Sequence, residues 1–259
     1  MKIPFYKFHG AGNDFIMLDN RNPITLSNSE IARLCAHHIG IGADGLILLE
    51  QQKDTDFNMR YFNADGSEAS FCGNGGRCTA AFAHYLKIID KHCSFNAFDG
   101  KHQAEILKYD ENKWEVRLEM KKATPIQIFE DGFFTDTGSP HFVLFCEDVH
   151  AVDVEAEGKK LRYDERFKEG TNINFVMPFQ DGIFVRTYER GVEAETLYCG
   201  TGVTASAFVY AAQKKQWQEE AVIQVYTRGG CFQVELSPSK FWLVGPAELS
   251  FYGTTTINN

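Results

Sequence analysis

The sequence lacks the features that mark several large classes of protein. It has no low-complexity stretch and no apolar run long enough to cross a bilayer. It also lacks excess positive charge: the net charge is −9, so we expect no surface for nucleic acid or anionic membranes. The first residues, Met1-Lys-Ile-Pro-Phe-Tyr-Lys7, are too polar for a signal peptide. These absences predict a cytoplasmic globular protein.

The seven cysteines contain no Cys-x-x-Cys pair, and their number is odd. This pattern argues against a disulfide framework and against a zinc site. We therefore expect reduced thiols and no bound metal. The remaining composition is 44% hydrophobic with 22 phenylalanines, which suits one large domain or two of ordinary size.

One short motif occurs twice, as Cys72-Gly-Asn-Gly and as Cys199-Gly-Thr-Gly. Small and apolar residues at helical spacing follow each copy, so each cysteine is expected directly before the first turn of a helix. The copies lie about half a chain length apart, which indicates an internal duplication. Two buried cysteines at tight turns are the alternative, which the duplication disfavours.

The start of a helix is a useful place for a thiol. The first backbone N–H groups have no partner within the helix, and the helix dipole favours negative charge there, so a thiolate is stabilised. Glycines let an anionic ligand approach these amides. A dinucleotide fingerprint is the alternative for Gly200-x-Gly-x-x-Ala205, but no acidic residue ends the next apparent strand, as that fold requires.

The remaining patterns predict strands, hairpins and a few helices. Residues 27–30 form a capping box before a helix, 154–162 suggest a short helix, and 133–141 suggest a loop. The helices after the two cysteines are expected to run to about 89 and 216. Strands are predicted at 2–8, 14–18, 46–50, 57–62, 95–98, 103–109, 114–120, 142–145, 172–178, 183–189, 221–227, 232–236 and 241–244. Strands and helices do not alternate as βαβ units, so the fold class is α+β.

Seven stretches together resemble the diaminopimelate epimerase family, an amino-acid epimerase family that uses no cofactor. They are Lys7-Phe-His-Gly-Ala-Gly-Asn-Asp-Phe15, Phe62-Asn-Ala-Asp-Gly-Ser67, Cys72-Gly-Asn-Gly-Gly-Arg-Cys78, Gly138-Ser-Pro-His141, Thr171-Asn-Ile-Asn-Phe175, Glu189-Arg-Gly191 and Cys199-Gly-Thr-Gly202. Two positions depart from many relatives: Gly45 stands where they carry Gln, and Ser139 where they carry Asn.

The resemblance implies two similar domains, each a mostly antiparallel β-sheet or barrel wrapped around a central helix, with the active site in the cleft between them. The first domain would be residues 1–120 and the second 121–246, with the tail 247–259 returning to the first. It also implies a homodimer, a small-molecule substrate and no cofactor, neither pyridoxal phosphate nor metal.

The implied reaction interconverts LL- and meso-2,6-diaminoheptanedioate, a step in the synthesis of lysine and peptidoglycan precursors. Cys72 and Cys199 would be catalytic: one thiolate removes the α-proton, and the opposing thiol delivers a proton to the other face. His141 is a possible helper that takes or holds a proton; a loop histidine bonded to backbone is its alternative.

Nine further residues are expected to bind the substrate. The backbone amides after each cysteine would hold the α-carboxylate. Arg190 would bind the distal carboxylate through its planar fork, and Glu189 would receive the reacting ammonium or orient the surroundings of Cys199. The full set is Asn13, Asn63, Gly73, Asn74, Asn172, Glu189, Arg190, Gly200 and Thr201.

Two other functions remain as alternatives. A proline or hydroxyproline racemase would share the two-cysteine plan, but its cyclic substrate has no distal amino-acid group for Arg190 and the asparagines. A non-catalytic binding protein on the same scaffold would usually lack the thiols, and both are present here.

Overall fold

The computed structural model describes residues 1–214 and 220–257. The chain divides into two compact units. Unit 1 is Met1–Leu118 together with the chain from Gly245 onward, and unit 2 is Glu119–Val244. Within the described residues, no helix is long and apolar enough to cross a membrane.

Unit 1 contains a sheet whose strands follow one another in chain order. These strands are β1 (Lys2–Gly10), β2 (Asn13–Asp19), β3 (Gly45–Glu50), β4 (Phe57–Asn63), β5 (His92–Ala97), β6 (Gly100–Asp110) and β7 (Lys113–Met120). The pairings β2–β3 and β4–β5 are parallel, and the others are antiparallel. A long strand, β16 (Phe241–Thr256), pairs residues 248–256 with β1.

Two helices belong to unit 1. Helix α1 (Asn28–Cys35) begins after Ser27, whose hydroxyl accepts from the Glu30 N–H at 3.2 Å. Helix α2 (Gly73–Tyr85) begins after Cys72 and is the central helix of the unit. Its apolar residues Cys78, Ala80 and Phe82 are fully buried, because the glycines and alanines of this helix allow strands to pack closely against it.

Helix α2 ends earlier than predicted. The expected end was about Ile89, but Lys87 adopts a left-handed conformation with φ 58°. The Lys87 N–H bonds to the His84 carbonyl and the Ile88 N–H to the Ala83 carbonyl, which is the Schellman arrangement. Since glycine usually occupies this left-handed position, a lysine there gave no signal in the sequence.

Unit 2 repeats this plan. Its strands are β8 (Gln127–Ile128), β9 (Phe133–Asp136), β10 (Pro140–Phe145), β11 (Asn172–Phe179), β12 (Gly182–Glu189), β13 (Ala194–Thr196), β14 (Ala221–Thr227) and β15 (Gly230–Leu236). The order is β16-β15-β14-β12-β11-β10-β9-β8, with β13 on β12. The pairings β10–β11 and β12–β14 are parallel. The α+β class with mostly antiparallel sheets is therefore confirmed.

The helices of unit 2 are α3 (Val154–Arg162) and α4 (Gly200–Gln213). The short helix predicted at 154–162 is confirmed. Helix α4 follows Cys199 and buries Val203, Ala205 and Val209 completely. Its predicted continuation to residue 216 reaches past the described residues.

One prediction for unit 2 is wrong. Residues 133–141 were expected to form a loop, but they contribute β9 and the start of β10. Gly138 and Pro140 in this stretch suggested a turn. Only residues 137–139 form it, and the aromatic residues on either side pair as strands.

Candidate active site

Each cysteine of the repeated motif is the N-cap residue of the central helix in its unit. Cys72 has φ −115° and ψ 121°, and Cys199 has φ −126° and ψ 113°. Their backbone carbonyls accept the first helical hydrogen bonds, each at 2.8 Å, from Gly76 and Val203. Neither side chain makes a capping hydrogen bond. The predicted placement at helix starts, where negative charge is favoured, is confirmed.

In unit 1, three predicted site residues meet at one amide oxygen. The Cys72 thiol donates to Asn13 Oδ1 at 3.7 Å, and Asn74 Nδ2 donates to the same oxygen at 3.2 Å. Asn74 Oδ1 in turn accepts from Arg77 Nη2 at 2.9 Å. Arg77 is fully buried and also donates to the Pro246 carbonyl at 3.3 Å, so the start of α2 is tied to the returning strand β16.

A tight hairpin turn places Asn13 beside this helix. Ala11 and Gly12, with φ 59° and 86°, both adopt left-handed conformations, which lets β1 turn directly into β2. Asn13 is the first residue of β2 and pairs with Gly10. Its Nδ2 donates to Asp44 Oδ2 at 2.7 Å. The amide therefore faces Cys72 with its oxygen and Asp44 with its nitrogen.

Asn63 lies at the end of β4, directly opposite Gly45. Its side chain is exposed and its Nδ2 donates to Ser67 Oγ at 3.3 Å, so part of its role is local. Gly45 has no room for a side chain: an added Cβ would lie 2.5 Å from the Phe62 carbonyl oxygen and 2.6 Å from the Tyr61 ring. These neighbours account for glycine at this position.

In unit 2, Cys199 is 7% exposed and its Sγ lies 3.5 Å from Thr201 Oγ1. The Thr201 carbonyl accepts from Thr137 Oγ1 at 2.9 Å. Gly202, the last residue of the motif, packs tightly against two side chains. An added Cβ there would lie 2.5 Å from Asn174 Oδ1 and 3.3 Å from His141 Cε1. The start of α4 therefore lies against a buried polar pair.

His141 is buried in β10, not in a loop, and its partner is a side chain, so the alternative of a loop histidine bonded to backbone is wrong. Asn174 Nδ2 lies 3.1 Å from His141 Nδ1. Two further bonds orient the Asn174 amide: its Nδ2 donates to the Phe142 carbonyl, and its Oδ1 accepts from Thr187 Oγ1. His141 Nδ1 is therefore the acceptor, and the proton is on Nε2.

Burial, with a smaller contribution from the positive charge of Arg190, lowers the pKa of His141 from 6.5 to about 3. The imidazole is thus neutral at physiological pH. Within the described part of the chain, its buried Nε2 has no hydrogen-bond partner. This group is an unsatisfied donor beside Gly202.

Asn172 and Arg190 are brought together by the second sheet. Asn172 Oδ1 accepts from the Arg190 backbone N–H at 2.9 Å, and its Nδ2 donates to Ser139 Oγ at 2.8 Å and to the Pro140 carbonyl at 2.9 Å. The Arg190 guanidinium is partly exposed and donates to the Glu169 carbonyl at 3.2 Å. Glu189 precedes it, and burial raises the pKa of this carboxyl.

The sequence reasoning missed four residues that organise these clusters: Asp44, Arg77, Thr137 and Asn174. A signal existed for Asn174, which lies two residues after Asn172 in an apolar strand and so shares its face. Arg77 is a charged residue in an otherwise small and apolar helix, which is also a signal. We find no sequence signal for Thr137 or Asp44.

Among the described residues, no group of three or more histidines, cysteines or acids is arranged to hold a metal ion.

A family model described as diaminopimelate epimerase matches residues 5–126 and 133–249. The chain belongs to the diaminopimelate epimerase family. The resemblance inferred from the seven stretches is confirmed, and enzymes of this family are isomerases.

Full-length relatives agree with this family. The diaminopimelate epimerase of Flavobacterium psychrophilum is 44% identical, with the alignment covering 97% of this chain and 100% of the relative. The diaminopimelate epimerase of Chlorobaculum tepidum is 39% identical, with 96% and 99% covered.

Solved structures share the fold at low identity. A Bacillus anthracis phenazine biosynthesis protein of the PhzF family has a TM-score of 0.79 at 13% identity, covering 99% of this chain and 100% of the other. A hydroxyproline epimerase from Agrobacterium vitis, with bound trans-4-hydroxy-L-proline, has a TM-score of 0.71 at 12% identity, covering 98% and 91%. These likenesses show the expected fold with two similar domains.

Proposed function

We propose that this protein is a diaminopimelate epimerase that interconverts LL- and meso-2,6-diaminoheptanedioate with two cysteines and no cofactor. The observation that carries the proposal is the repeated placement of Cys72 and Cys199 as N-cap residues of buried helices. Each thiol has the helix terminus that stabilises its anion. The product serves lysine and peptidoglycan precursor synthesis.

In the proposed mechanism one thiolate removes the α-proton while the other cysteine, as a thiol, protonates the opposite face. The two exchange roles when the reaction runs backwards. An α-proton of an amino acid is very weakly acidic, so the developing negative charge must be stabilised. The amides of Gly73, Asn74, Gly200 and Thr201 are proposed to bind the α-carboxylate, where helix termini supply preorganised positive charge.

The distal end of the substrate carries a second carboxylate and ammonium. Arg190 is proposed to bind that carboxylate, because its backbone is anchored by Asn172 and its guanidinium is partly exposed. Both protons of Asn172 Nδ2 are used within the chain, so Asn172 is assigned to accepting from the ammonium. Asn13 and Asn63 are proposed as further contacts through their remaining amide protons.

Glu189 and His141 complete the proposed site. Burial raises the pKa of Glu189, which supports a role in receiving the reacting ammonium or orienting the region of Cys199. The neutral state of His141 argues against storing a proton. Its Nε2–H instead supports a role as a hydrogen-bond donor to a developing negative charge near Cys199.

Two properties of the setting belong to the proposal as well. A cytoplasmic location is supported by buried thiols such as Cys35, Cys78 and Cys93, none in a disulfide, since reducing compartments preserve thiols. A homodimer is suggested by the family resemblance. Sedimentation of the purified protein at several concentrations tests the dimer.

The function is tested by α-proton exchange in deuterated water with purified protein, a chelator and no added cofactor. LL-diaminopimelate should incorporate deuterium and convert to the meso isomer. L-Proline and trans-4-hydroxy-L-proline, offered in parallel, should remain unlabelled. Exchange on a cyclic substrate but not on diaminopimelate would identify a racemase of the proline type, and exchange that depends on added pyridoxal phosphate would refute the two-thiol mechanism.

A further inference from the structure

A charged cluster of unit 1 lies next to Asn13 and has no role in the mechanism above. Its members are Lys7, Asp14 and Asp44. The Lys7 side chain is only 7% exposed, and its Nζ lies 2.7 Å from Asp14 Oδ2. It also donates to the Gly42 carbonyl. A buried ammonium is tolerated only when it is paired and hydrogen-bonded, so Lys7 holds Asp14 in one place.

Asp14 and Asp44 hydrogen-bond to each other where the two parallel strands β2 and β3 begin. The Asp44 N–H donates to Asp14 Oδ1 at 2.9 Å, and the Asp14 N–H donates to Asp44 Oδ2 at 3.1 Å. The parallel register pairs Phe15 with Gly45. Asp14 and Asp44, which directly precede them, therefore lie at the same edge of the sheet. The reciprocal bonds fix the Asp44 carboxylate, although this side chain is exposed.

The fixed carboxylate determines how the Asn13 amide is oriented. Asp44 Oδ2 accepts from Asn13 Nδ2 at 2.7 Å. A carboxylate accepts hydrogen bonds and cannot donate them, whereas an amide has a donating and an accepting end. Asn13 must therefore turn its NH₂ group toward Asp44, and its oxygen is left facing Asn74 Nδ2 and Cys72 Sγ, at 3.2 and 3.7 Å.

An amide oxygen beside sulfur discriminates between the two protonation states of a cysteine. It accepts a hydrogen bond from S–H, but its lone pairs repel a thiolate. A flipped amide would do the opposite, because its N–H groups would donate to the thiolate. The orientation of Asn13 thus favours the thiol form of Cys72.

We propose that Asp44 is a positioning residue, which holds the Asn13 oxygen toward Cys72 so that Cys72 is the protonated member of the cysteine pair in the ligand-free enzyme. Lys7 and Asp14 support it by fixing the carboxylate. The assignment of Cys72 as the initial acid rests on the proposed function; the control of its protonation by Asp44 does not.

The test measures how fast iodoacetamide alkylates Cys72 at one neutral pH, resolved by peptide mass spectrometry. Asp44→Asn introduces an amide that can donate or accept, so only the bond from Asn74 Nδ2 still favours the orientation in which the Asn13 oxygen faces Cys72. Cys72 should then be alkylated about three- to ten-fold faster, the range expected for one hydrogen bond. Cys231, exposed in unit 2, serves as an internal reference and should not change.

The double variant shows whether Asp44 acts through Asn13. Asn13→Ala alone should also speed the alkylation of Cys72, because the accepting oxygen is gone. Adding Asp44→Asn to Asn13→Ala should then have no further effect. Rate increases that multiply in the double variant would overturn the proposal, and so would an unchanged rate in folded Asp44→Asn. Asp44→Ser, whose shorter side chain carries a hydroxyl that can donate or accept and so does not impose one orientation on the Asn13 amide, gives the same decision if Asp44→Asn does not fold.

Asp56→Asn is the matched control for general loosening. Asp56 is another carboxylate of unit 1, and its Oδ2 accepts from the Ser94 N–H at 2.7 Å. Asp56→Asn should leave the alkylation of Cys72 at the wild-type rate. An increase equal to that of Asp44→Asn would show that the loss of any carboxylate in unit 1 exposes the thiol. Because alkylation needs no substrate, a wild-type protein that fails to exchange α-protons refutes the epimerase function without affecting this result.

Discussion

The two helix starts have the same backbone and different surroundings. Cys72 and Cys199 are N-cap residues with nearly the same dihedral angles. The region of Cys72 is partly open and contains amides and a charged cluster. The region of Cys199 is buried and contains a threonine hydroxyl and a neutral histidine. The two helix starts therefore share the geometry that stabilises a thiolate, while the groups beside each thiol differ.

This difference suits a two-base reaction. Such an enzyme needs one cysteine protonated and the other ionised at the start of each turnover, and identical surroundings would favour neither arrangement. The amide oxygen of Asn13 near Cys72 favours a thiol on that side. The buried Nε2–H of His141 near the start of α4 can stabilise negative charge on the other. Four sets of variants test how far the two regions differ.

The largest effect is expected from replacing each cysteine by serine. Serine is nearly isosteric, so the helix starts should survive, but its hydroxyl is a far weaker acid than a thiol. Cys72→Ser and Cys199→Ser should each lose about 10²- to 10⁴-fold in epimerisation, the usual contribution of a general acid or base. Deuterium incorporation should also be asymmetric: one variant retains some exchange from LL substrate, the other from meso substrate.

Equal exchange from both isomers in both variants would mean that a single base serves both faces of the α-carbon. The chemical difference between the two regions would then have no role in catalysis. Circular dichroism and thermal melting of each variant provide the control for folding.

The next largest effect is expected from replacing two arginines, Arg190 and Arg77, by lysine, which should affect catalysis in one case and stability in the other. Arg190→Lys keeps a charge but loses the planar fork, so kcat/KM for diaminopimelate should fall about ten- to a hundred-fold with little change in Tm. Arg77 is fully buried and bonds to Asn74 and the Pro246 carbonyl. Arg77→Lys should instead lower the free energy of unfolding, by about 1.5–3 kcal/mol. Wild-type kinetics for Arg190→Lys would remove Arg190 from the site.

A smaller effect is expected from replacing by alanine the last glycine of each Cys-Gly-x-Gly motif, Gly75 or Gly202. Near Gly202 an added Cβ would lie 2.5 Å from Asn174 Oδ1, whereas near Gly75 it would lie 3.0 Å from the flexible ends of Ile47 and Met59. Gly202→Ala should therefore destabilise unit 2 by about 1–3 kcal/mol. Gly75→Ala should have less effect, because alanine is favoured in helices by about 1 kcal/mol. Chemical denaturation measures both, and equal losses would show that both regions are packed equally tightly.

The fold could be inferred from the sequence where local signals and tertiary contacts agree. Alternating strands and the capping box at Ser27 gave elements close to those observed, and the repeated motif gave both helix starts. The end of α2 could not be predicted, because a lysine takes the left-handed position of its cap. Residues 133–141 were misjudged because their turn residues occupy only the centre of the stretch.

The candidate site was predictable in its motif residues and less so in their partners. Asn13 and Asn74 were expected as substrate contacts, but their hydrogen bonds to one another and to Cys72 depend on the packing of α2 against the distant β1–β2 hairpin. The environment of His141 depends on Asn174 and Thr187, which lie on neighbouring strands of the same sheet. Such contacts are long-range in sequence, so no local pattern records them.

The effect that is smallest near neutral pH concerns the acid stability of the second region. Burial lowers the pKa of His141 from 6.5 to about 3, so between these values the unfolded chain binds a proton that the folded chain does not. The free energy of unfolding should therefore fall as pH falls below 6.5, with His141 contributing about 1.4 kcal/mol per pH unit. His141→Gln should remove this contribution, while His150→Gln, at an exposed position of unit 2, should keep the wild-type slope. Urea unfolding at a series of pH values measures the slopes. Parallel curves for wild type and His141→Gln would mean that His141 is accessible to protons, and that the second region is no drier than the first.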